Sequence, residues 1–378
     1  MANTLSGLIQ DAYAALDVVA REQIGIIPTV TRDARLDRVA LGQTVRIPAV
    51  PTNAARDIVP AMALPTRADQ VLTNTGITIS KLRAVPFSWT GEEAYAMDEA
   101  GPGFLSIQQN QIAQAFRTLV NEIETDLGLA MATYGSRAYG TSGTTPLGTN
   151  LAEIAKLVQI LDDNGAPQNE RFLTLNSTAA AGYLSLTQLS NVNQAGTDDT
   201  LRNGTLADLF GLNIRKSAFV PSVAAGTGSG YLINNSGGYG VGATSLTLDT
   251  GTGTILAGDV LTIGNHKYVV NTALASNVVV IAAPGLREVI ADNAAVAVNA
   301  TSARNLAYTR SSTVLIERLP ELPNMQDLAT MRETLVDPIS SLAFELAAYP
   351  GYRMTTYEIS AAWGVKVIKP EFIAELLG

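Results

Sequence analysis

The composition of the chain changes abruptly at Pro221, and this change limits the possible folds more than any other feature of the sequence. Glycines crowd the residues that follow, and short runs rich in Val, Leu and Thr come after them, separated by turn residues. Such runs are typical of the strands of small barrels and sandwiches. Residues 222–303 are therefore predicted to form an all-β module. Its candidate strands are Ser245–Thr250, Asp259–Ile263, Lys267–Asn271, Asn277–Ala282 and Ala294–Ala300.

The segments on either side of this module mix helical and strand patterns, so we predict an α+β protein with an inserted all-β unit. The clearest helical pattern begins at a capping box formed by Ser106 and Gln109. Apolar residues then recur at steps of three and four until Gly135, which predicts a helix of about 28 residues and about 40 Å. Further helices are predicted over residues 151–161, 179–189 and 324–331, and strands over 172–176, 313–317 and 357–363.

Between Gly42 and Gly91, prolines interrupt the chain too often for a helix, since each lacks a backbone N–H and restricts the residue before it. Alternating residues over 71–79 and 85–89 predict the two β-arms of a long projecting loop. A solvated loop tip and a contact with another subunit both fit the charges of this loop. The contact candidates are Arg46, Arg56, Asp57, Arg67, Asp69 and Lys81. For Lys81, the lone lysine of the stretch, a solvated side chain is the simpler interpretation.

Residues 4–21 place apolar side chains at helical spacing, which predicts an amphipathic N-terminal helix or arm. Its apolar stripe packs either in the core of its own subunit or on another subunit. The N-terminus lacks a basic segment followed by an apolar core, so we expect no secretion signal. The apolar stretch from Tyr268 to Leu286 includes Pro284 and a Val-rich centre, which favours a buried strand over a membrane span.

Composition excludes several classes of protein. The chain of 378 residues has no cysteine and one histidine, so disulfide frameworks, thiolate zinc sites and multi-histidine metal sites are ruled out. The net charge of −9 has the wrong sign for a protein that grips phosphate backbones. A turn or surface role is expected for His266, and the glycine run at 226–230 lacks the Gly-Lys-Ser/Thr of a phosphate-binding loop, so we interpret it as a linker.

Paired carboxylates occur several times, at 92–93, 98–99, 162–163 and 198–199 and as Glu122 with Glu124. Glu122 and Asp126 also lie one helical turn apart, a spacing that suits either a bound cation or, more simply, a solvated helix face. A glycoside hydrolase needs two carboxylates facing each other across a cleft, which adjacency alone does not provide. It is the one enzyme class that the composition leaves open, and we predict no catalytic residues, cofactor or metal.

Three stretches are similar to one family of shell proteins. They are Gln43-Thr44-Val45-Arg46-Ile47-Pro48-Ala49-Val50, the strand–turn unit Leu256-Ala257-Gly258-Asp259-Val260-Leu261-Thr262-Ile263 within residues 243–268, and Ala362-Trp363-Gly364-Val365 followed by Lys369-Pro370-Glu371. With the order of the predicted elements, they make the chain resemble the major capsid proteins of tailed bacteriophages, which have the Hong Kong 97 shell fold. The closest likeness is to podovirus coat proteins of the Salmonella-phage type, which carry an inserted barrel.

The resemblance implies a division of the chain into structural parts. These are an N-terminal arm (1–41), an extended β-loop with its flank (42–100), a spine helix with the peripheral domain (101–150), the first part of an axial domain (151–221), the inserted barrel (222–303) and the return of the axial and peripheral domains (304–378). It also implies self-association into hexamers and pentamers of a shell around double-stranded DNA. A scaffolding protein, a portal protein and in some members a decoration protein are the implied partners, with assembly in the host bacterial cytoplasm, a final place in the virion capsid and no contact with a membrane.

The main alternative is a β-rich adhesin or surface-layer protein, which the low charge and the Gly/Thr/Asn-rich β segments favour. The missing export signal counts against it. A carboxylate-based glycoside hydrolase is the second alternative. The crosslink between a loop lysine and a neighbouring asparagine, found in some shells of this fold, is not supported by the sequence around Lys81.

Overall fold

The computed structural model describes residues 22–49, 73–100, 104–149, 151–190, 203–204, 206, 208–323, 327–337 and 340–378. The predicted amphipathic segment 4–21 lies outside this part of the chain. The helices of the described part are α1 (Gly91–Ala100), α2 (Phe104–Tyr134), α3 (Ala152–Asp163), α4 (Ser177–Ser185) and α5 (Thr187–Ser190). Within the described residues, no helix is both long enough and apolar enough to cross a bilayer.

Helix α2 is the longest element, with 31 residues and a length of about 46 Å. The prediction of a long helix ending before Gly135 is confirmed. Its expected start is wrong by a few residues, because α2 already includes Phe104 and Ser106 therefore lies inside the helix. One face of α2 is fully buried against the main core, through Ile112, Phe116, Leu119, Ile123, Leu127 and Met131.

A six-stranded sheet covers this face of α2. Its strands are β1 (Thr31–Val39), β4 (Lys81–Thr90), β16 (Thr313–Pro320), β17 (Met331–Val336), β18 (Ala343–Gly351) and β19 (Met354–Val367). The 14-residue β19 is central: β4 pairs along one side of it, while β18 and then β16 pair along the other. Strand β1 continues the sheet parallel to β16.

The helix predicted over residues 324–331 is wrong. Residues 327–330 are not helical, and Met331 begins β17, which pairs antiparallel with β18. The pairing explains the difference, since Leu335 of this strand is buried in the main core while Leu328 is 80% exposed. The strand predictions for 313–317 and 357–363 are confirmed as parts of β16 and β19.

A second sheet has the order β5 (Arg137–Gly140), β20 (Ile373–Leu377), β15 (Ser302–Thr309), β6 (Arg171–Leu175) and β7 (Asn213–Lys216). Strand β8 (Ser222–Val223) pairs with the start of β15. Helices α3 and α4 pack on this sheet around a second apolar core that includes Ile154, Leu173 and Tyr183. The predicted helix 179–189 is broken at Leu186, whose extended backbone separates α4 from α5.

Six strands close into a barrel between β8 and β15. They are β9 (Tyr231–Ile233), β10 (Ser245–Asp249), β11 (Val260–Ile263), β12 (His266–Ala275), β13 (Val278–Ile281) and β14 (Ala295–Val298). The ring runs β11-β14-β9-β10-β13-β12 and closes by the pairing of β12 with β11. The prediction of a small barrel in this segment is confirmed, and its interior is apolar.

The Gly258-Asp259 turn joins the barrel to the glycine run before it. Gly258 has a φ of +87°, a conformation that glycine adopts without strain. Asp259 is fully buried, and its carboxylate accepts the backbone N–H of Leu256 at 2.6 Å and that of Gly226 at 3.0 Å. The start of the glycine run is therefore fixed to the barrel by hydrogen bonds.

Strands β2 (Thr44–Ala49) and β3 (Thr73–Thr78) form a separate antiparallel hairpin. The predicted strand over residues 71–79 is present as β3 from Thr73, but the prediction that 85–89 forms the other arm of the loop is wrong. That stretch belongs to β4 and pairs with β19, so the arms of the loop are β2 and β3.

Candidate assembly surface

The hairpin β2–β3 pairs with no further strand among the described residues. Its root is held on the six-stranded sheet by the fully buried Ile77, and the Nζ of Lys366 donates to the Gly76 carbonyl at 2.8 Å. Arg46, a predicted contact residue, is exposed on β2 opposite Gly76. The remaining loop candidates, Arg56, Asp57, Arg67 and Asp69, lie outside the described residues. The hairpin thus presents backbone edges and an arginine that its own subunit leaves uncovered in the described part.

Lys81 stands at the start of β4 and faces the two carboxylates of α2 that sequence spacing had paired. Its Nζ lies 2.9 Å from Glu122 Oε1 and 2.9 Å from Asp126 Oδ1. The same Nζ lies 5.9 Å from the centre of the Trp363 ring, whose Nε1 donates to Asp126 Oδ2 at 2.8 Å. Arg83 adds a second cation, with its Nε 3.0 Å from Glu122. We name these five side chains the Lys81 cluster.

The Lys81 cluster corrects two interpretations from the sequence. Glu122 and Asp126 do not form a merely solvated face, because they hold the ammonium of Lys81. Lys81 is not simply solvated either, since its side chain is only 33% exposed. Burial alone would lower the pKa of Lys81, but hydrogen bonds to Asp126 and Glu122 raise it, so the lysine stays charged. The cluster fixes the start of β4, just after the hairpin, to the long helix.

A second anchor holds the beginning of the described chain on α2. The fully buried Glu124 accepts the backbone N–H groups of Gly25, Ile26 and Ile27 at 2.7–2.8 Å and the hydroxyl of Ser217 at 2.8 Å. Burial raises the pKa of Glu124, and these donors act against the rise. From the sequence, Glu124 was noted only as a paired carboxylate with Glu122, and its burial was not predicted, although it lies on the apolar face of the helix, one turn from Val120 and Leu127.

A further contact lies closer to the N-terminus of α2, where the helix residues Arg117 and Asn121 bind the carboxylate of Glu22. Arg117 Nε donates to the Glu22 carboxylate at 2.7 Å, and Asn121 donates to it at 2.8 Å. These hydrogen bonds hold the pKa of Glu22 down to about 2, so the contact persists through the physiological pH range. The described chain begins at residue 22, and these contacts fix it to α2 before β1 begins.

An aromatic tip is the second uncovered feature, after the hairpin. Tyr352 is 91% exposed at the turn between β18 and β19, and Tyr95 is 66% exposed on α1. The turn between β18 and β19 and the start of α1 together line a groove of about 890 Å³. The two elements are joined by a hydrogen bond from the Gly91 N–H to the Arg353 carbonyl at 3.3 Å. Large exposed aromatic side chains are enriched at protein–protein contacts. The candidate surface therefore has a polar portion, the hairpin, and an apolar portion, the aromatic tip.

Three of the adjacent carboxylates, Glu93, Asp162 and Asp163, have structural partners in the described part. Glu93 accepts from the backbone and the hydroxyl of Thr90, both at 2.9 Å, and so caps α1. The ion pairs of the 162–163 pair are Asp162–Arg171 at 2.7 Å and Asp163–Arg137 at 3.2 Å. Residues 198–199 lie outside the described chain. These three carboxylates therefore act in helix capping and ion pairing.

No protein-family model matches the sequence, and no curated protein matches it. Solved structures do. A chain from the capsid structure of the cyanophage P-SCSP1u aligns with a TM-score of 0.52 at 14% identity, covering 95% of this chain and 89% of that one. A chain from the asymmetric unit of the mature capsid of bacteriophage PhiM1 aligns with a TM-score of 0.51 at 12% identity, covering 95% and 87%.

The chain has the fold of phage capsid proteins. A structure from Mycobacterium phage Che8 gives a similar alignment, with a TM-score of 0.51, 12% identity and coverage of 95% of this chain and 92% of that chain. In all three cases the likeness spans almost the whole of both chains rather than one shared motif. The mixed α+β fold of phage capsid proteins expected from the sequence is thus confirmed.

Proposed function

We propose that this chain is a major capsid protein, whose copies assemble as hexamers and pentamers into the icosahedral head that encloses phage double-stranded DNA. The observation that carries the proposal is the capsid fold over 95% of the chain. The closed six-stranded barrel between β8 and β15 supports the finer assignment to coat proteins of the Salmonella-phage podovirus type. Catalysis forms no part of this role.

The uncovered surfaces support an assembling subunit. A two-stranded hairpin is marginally stable alone, so contacts beyond its root favour its persistence. We propose that the hairpin and the loop carrying Arg56, Asp57, Arg67 and Asp69 lie against a neighbouring copy, with Arg46 at the edge of that contact. Lys81 serves the same contact indirectly, because its ammonium is held by its own α2 and fixes the root of the hairpin.

The charge of the chain fits a container wall. A net charge of −9 disfavours tight binding to phosphates, so packaged DNA would slide along the inner wall and contact it non-specifically. We propose a scaffolding protein and a portal protein as partners during assembly in the bacterial cytoplasm, and a decoration protein on the finished shell. The virion capsid is the proposed final location.

The decisive experiment expresses the chain alone and together with a scaffold candidate encoded beside it, and then uses sedimentation and electron microscopy. Closed shells or tubes of uniform wall are expected. The variant Arg46→Glu should reduce shell yield while the subunit stays folded, whereas Arg215→Glu, a reversal of an exposed arginine on β7, should leave the yield unchanged. A folded monomer that never assembles under either condition would contradict the proposal.

A further inference from the structure

A cleft of about 410 Å³ lies where the barrel meets the second sheet. Strand β5 and the loop after it form one wall, helix α3 forms the second, and the turn between β11 and β12 forms the third. Its polar lining includes the side chains of Arg137, Glu153, Lys156, His266 and Lys267. Neither the capsid fold nor the proposed assembly contacts assign a role to this cleft.

The two lysines of the cleft lack carboxylate partners among the described residues. Lys267 is half-buried, and its Nζ donates to the carbonyl of Gly140. Lys156 is exposed on α3, and its Nζ donates to the side-chain oxygen of Gln159 at 2.9 Å. Burial lowers the pKa of Lys267. Both ammonium groups therefore retain the capacity to bind an anion.

Arg137 forms the floor of the cleft and is only 5% exposed. One of its terminal nitrogens lies 3.2 Å from Asp163 Oδ2, and the other lies 3.0 Å from Nδ1 of His266. Its Nε is buried and has no hydrogen-bond partner among the described residues. The guanidinium is thus only partly satisfied, although an acid lies beside it.

The carboxylates near the cleft are already engaged. Glu153 accepts the backbone N–H of Leu147 at 2.6 Å, and Asp163 lies 3.2 Å from Arg137 and 3.8 Å from Arg287. Glu288 is engaged as well, since it accepts the backbone N–H of Asn265 at 2.7 Å. Three acids therefore lie beside four cations, Arg137, Lys156, Lys267 and Arg287, which leaves one excess positive charge. A positive cleft is unusual in a chain whose net charge is −9.

We propose that this cleft binds a phosphate group, held by the ammonium groups of Lys156 and Lys267 above the guanidinium of Arg137. Ammonium groups act as point charges with several donors each, and a phosphate offers several acceptor oxygens and more than one negative charge to match them. The volume lies within the range of small-molecule sites. The phosphate comes either from a small phosphorylated molecule in solution or from the backbone of a nucleic acid.

The test measures binding of pyrophosphate to the purified full chain by calorimetry at fixed ionic strength, with sodium chloride as the matched salt. The variants are Lys156→Gln and Lys267→Met, and the control is Lys366→Gln, an exposed lysine at the hairpin root. Each cleft variant should weaken binding about tenfold or more, the effect of losing one charge-assisted hydrogen bond. The control should bind as the native chain does.

A short oligothymidylate forms the second arm and distinguishes the sources. Binding of pyrophosphate alone identifies a small phosphorylated ligand, whereas stronger binding of the oligonucleotide with the same dependence on Lys156 and Lys267 identifies a nucleic-acid backbone. Absence of binding by both probes, or binding that neither substitution weakens, would overturn the proposal. The melting temperature of each variant tests whether a loss of binding reflects unfolding of the protein instead of loss of the site.

His266 provides an independent readout because it is the one histidine of the chain. Burial and the nearby Arg137 and Arg287 lower its pKa, while Glu288 and Asp163 act in the opposite direction. A bound phosphate should raise the pKa of His266, which deuterium exchange at its ring C–H measures by mass spectrometry after digestion. An unchanged pKa at saturating pyrophosphate would place the anion elsewhere on the molecule. Because the readout needs no shell, it can succeed or fail independently of the assembly proposal.

Discussion

The barrel and the six-stranded sheet bury charge in opposite ways. Within residues 224–301, Asp259 is the one buried charged residue, and backbone N–H groups satisfy its carboxylate. The six-stranded sheet buries Glu317, Arg318 and Glu345, and neither oxygen of Glu317 has a hydrogen bond of standard geometry in the described part. The barrel is therefore stabilised mainly by apolar burial, whereas the stability of the sheet depends on its ionisation state.

Truncation of each core should give the largest effects and show whether the two regions unfold separately. Phe116→Ala removes a fully buried ring that meets Phe344 edge-on at 5.1 Å, and should cost about 3–5 kcal/mol. Leu261→Ala in the barrel should cost about 2–5 kcal/mol. Urea unfolding followed by hydrogen exchange measures both, with the half-exposed Leu129→Ala as the control.

We expect Leu261→Ala to increase exchange within the barrel strands and Phe116→Ala to increase it in α2 and the six-stranded sheet. The comparison fails if Leu261→Ala increases exchange equally in both regions, because the barrel and the sheet would then unfold as one unit.

Alkaline pH should destabilise the sheet before the barrel. Burial raises the pKa of Glu317 from 4.5 to about 8, so the folded chain holds this proton more tightly than the unfolded chain does. The resulting stabilisation is complete below pH 4.5 and is lost as the pH rises through 8, by on the order of 4 kcal/mol. Glu375 of the second sheet, whose pKa burial also raises to about 8, adds a similar loss.

Glu317→Gln should remove about half of this pH dependence, because the amide stays neutral and Glu375 contributes the other half. The urea midpoint at pH 6, 7, 8 and 9 measures the pH dependence. The exposed Glu321→Gln should retain the native slope. If Glu317→Gln also retains the native slope, the charge-dependent account of the sheet is wrong.

Removal of the buried carboxylate of the barrel should have an intermediate effect. Asp259→Ala leaves the N–H groups of Gly226 and Leu256 without their acceptor and should cost about 2–3 kcal/mol. Asp259→Asn keeps one acceptor oxygen and should restore roughly half of that loss. Thermal melting of the two variants decides the point, and equal stability of native chain and Asp259→Ala would show that water replaces the carboxylate.

The smallest effect is expected at the Lys81 cluster, because its ion pairs are partly exposed. Lys81→Met should lower stability by about 1 kcal/mol, since the ammonium is screened but Glu122 and Asp126 then face each other without it. Lys156→Met, an exposed lysine of α3, is the matched control. Chemical denaturation at low and high salt measures the difference, which should shrink as salt increases. A larger loss at high salt would contradict an electrostatic origin.

The barrel was predictable because its information is local. Alternating apolar residues and turn residues such as Gly258 indicate five of the six strands, and β11, β12 and β13 pair with their neighbours in sequence. The strand β9 and its pairing with β14, which joins Leu232 to Ala295, were not predicted. The hairpin was harder, because nothing near residues 85–89 reveals that their partner is β19, more than 250 residues away. The helix expected at 324–331 failed for the same reason, as pairing with β18 overrode a local helical pattern.

For the candidate site too, local features were predictable and long-range contacts were not. The spacing of Glu122 and Asp126 was visible on the helix, but their cation is Lys81, which is distant in sequence. Glu124 resembled a surface acid by residue type alone, and only its position in line with Val120 and Leu127 indicated burial. The cleft between α3 and the barrel joins three separate segments, so no local pattern could have revealed it.

The pairing of Val223 with Ser302 means that the chain leaves the second sheet and returns to it on the same rung of a ladder. A gene for this protein could therefore gain or lose the whole stretch between these residues in one event, and a short turn would be enough to rejoin the strands. Loss of the stretch would expose the edge of β5, which β12 covers through Lys267 and Tyr268. Deletion would thus be simple for the connectivity of the chain but would require a new cover for that edge.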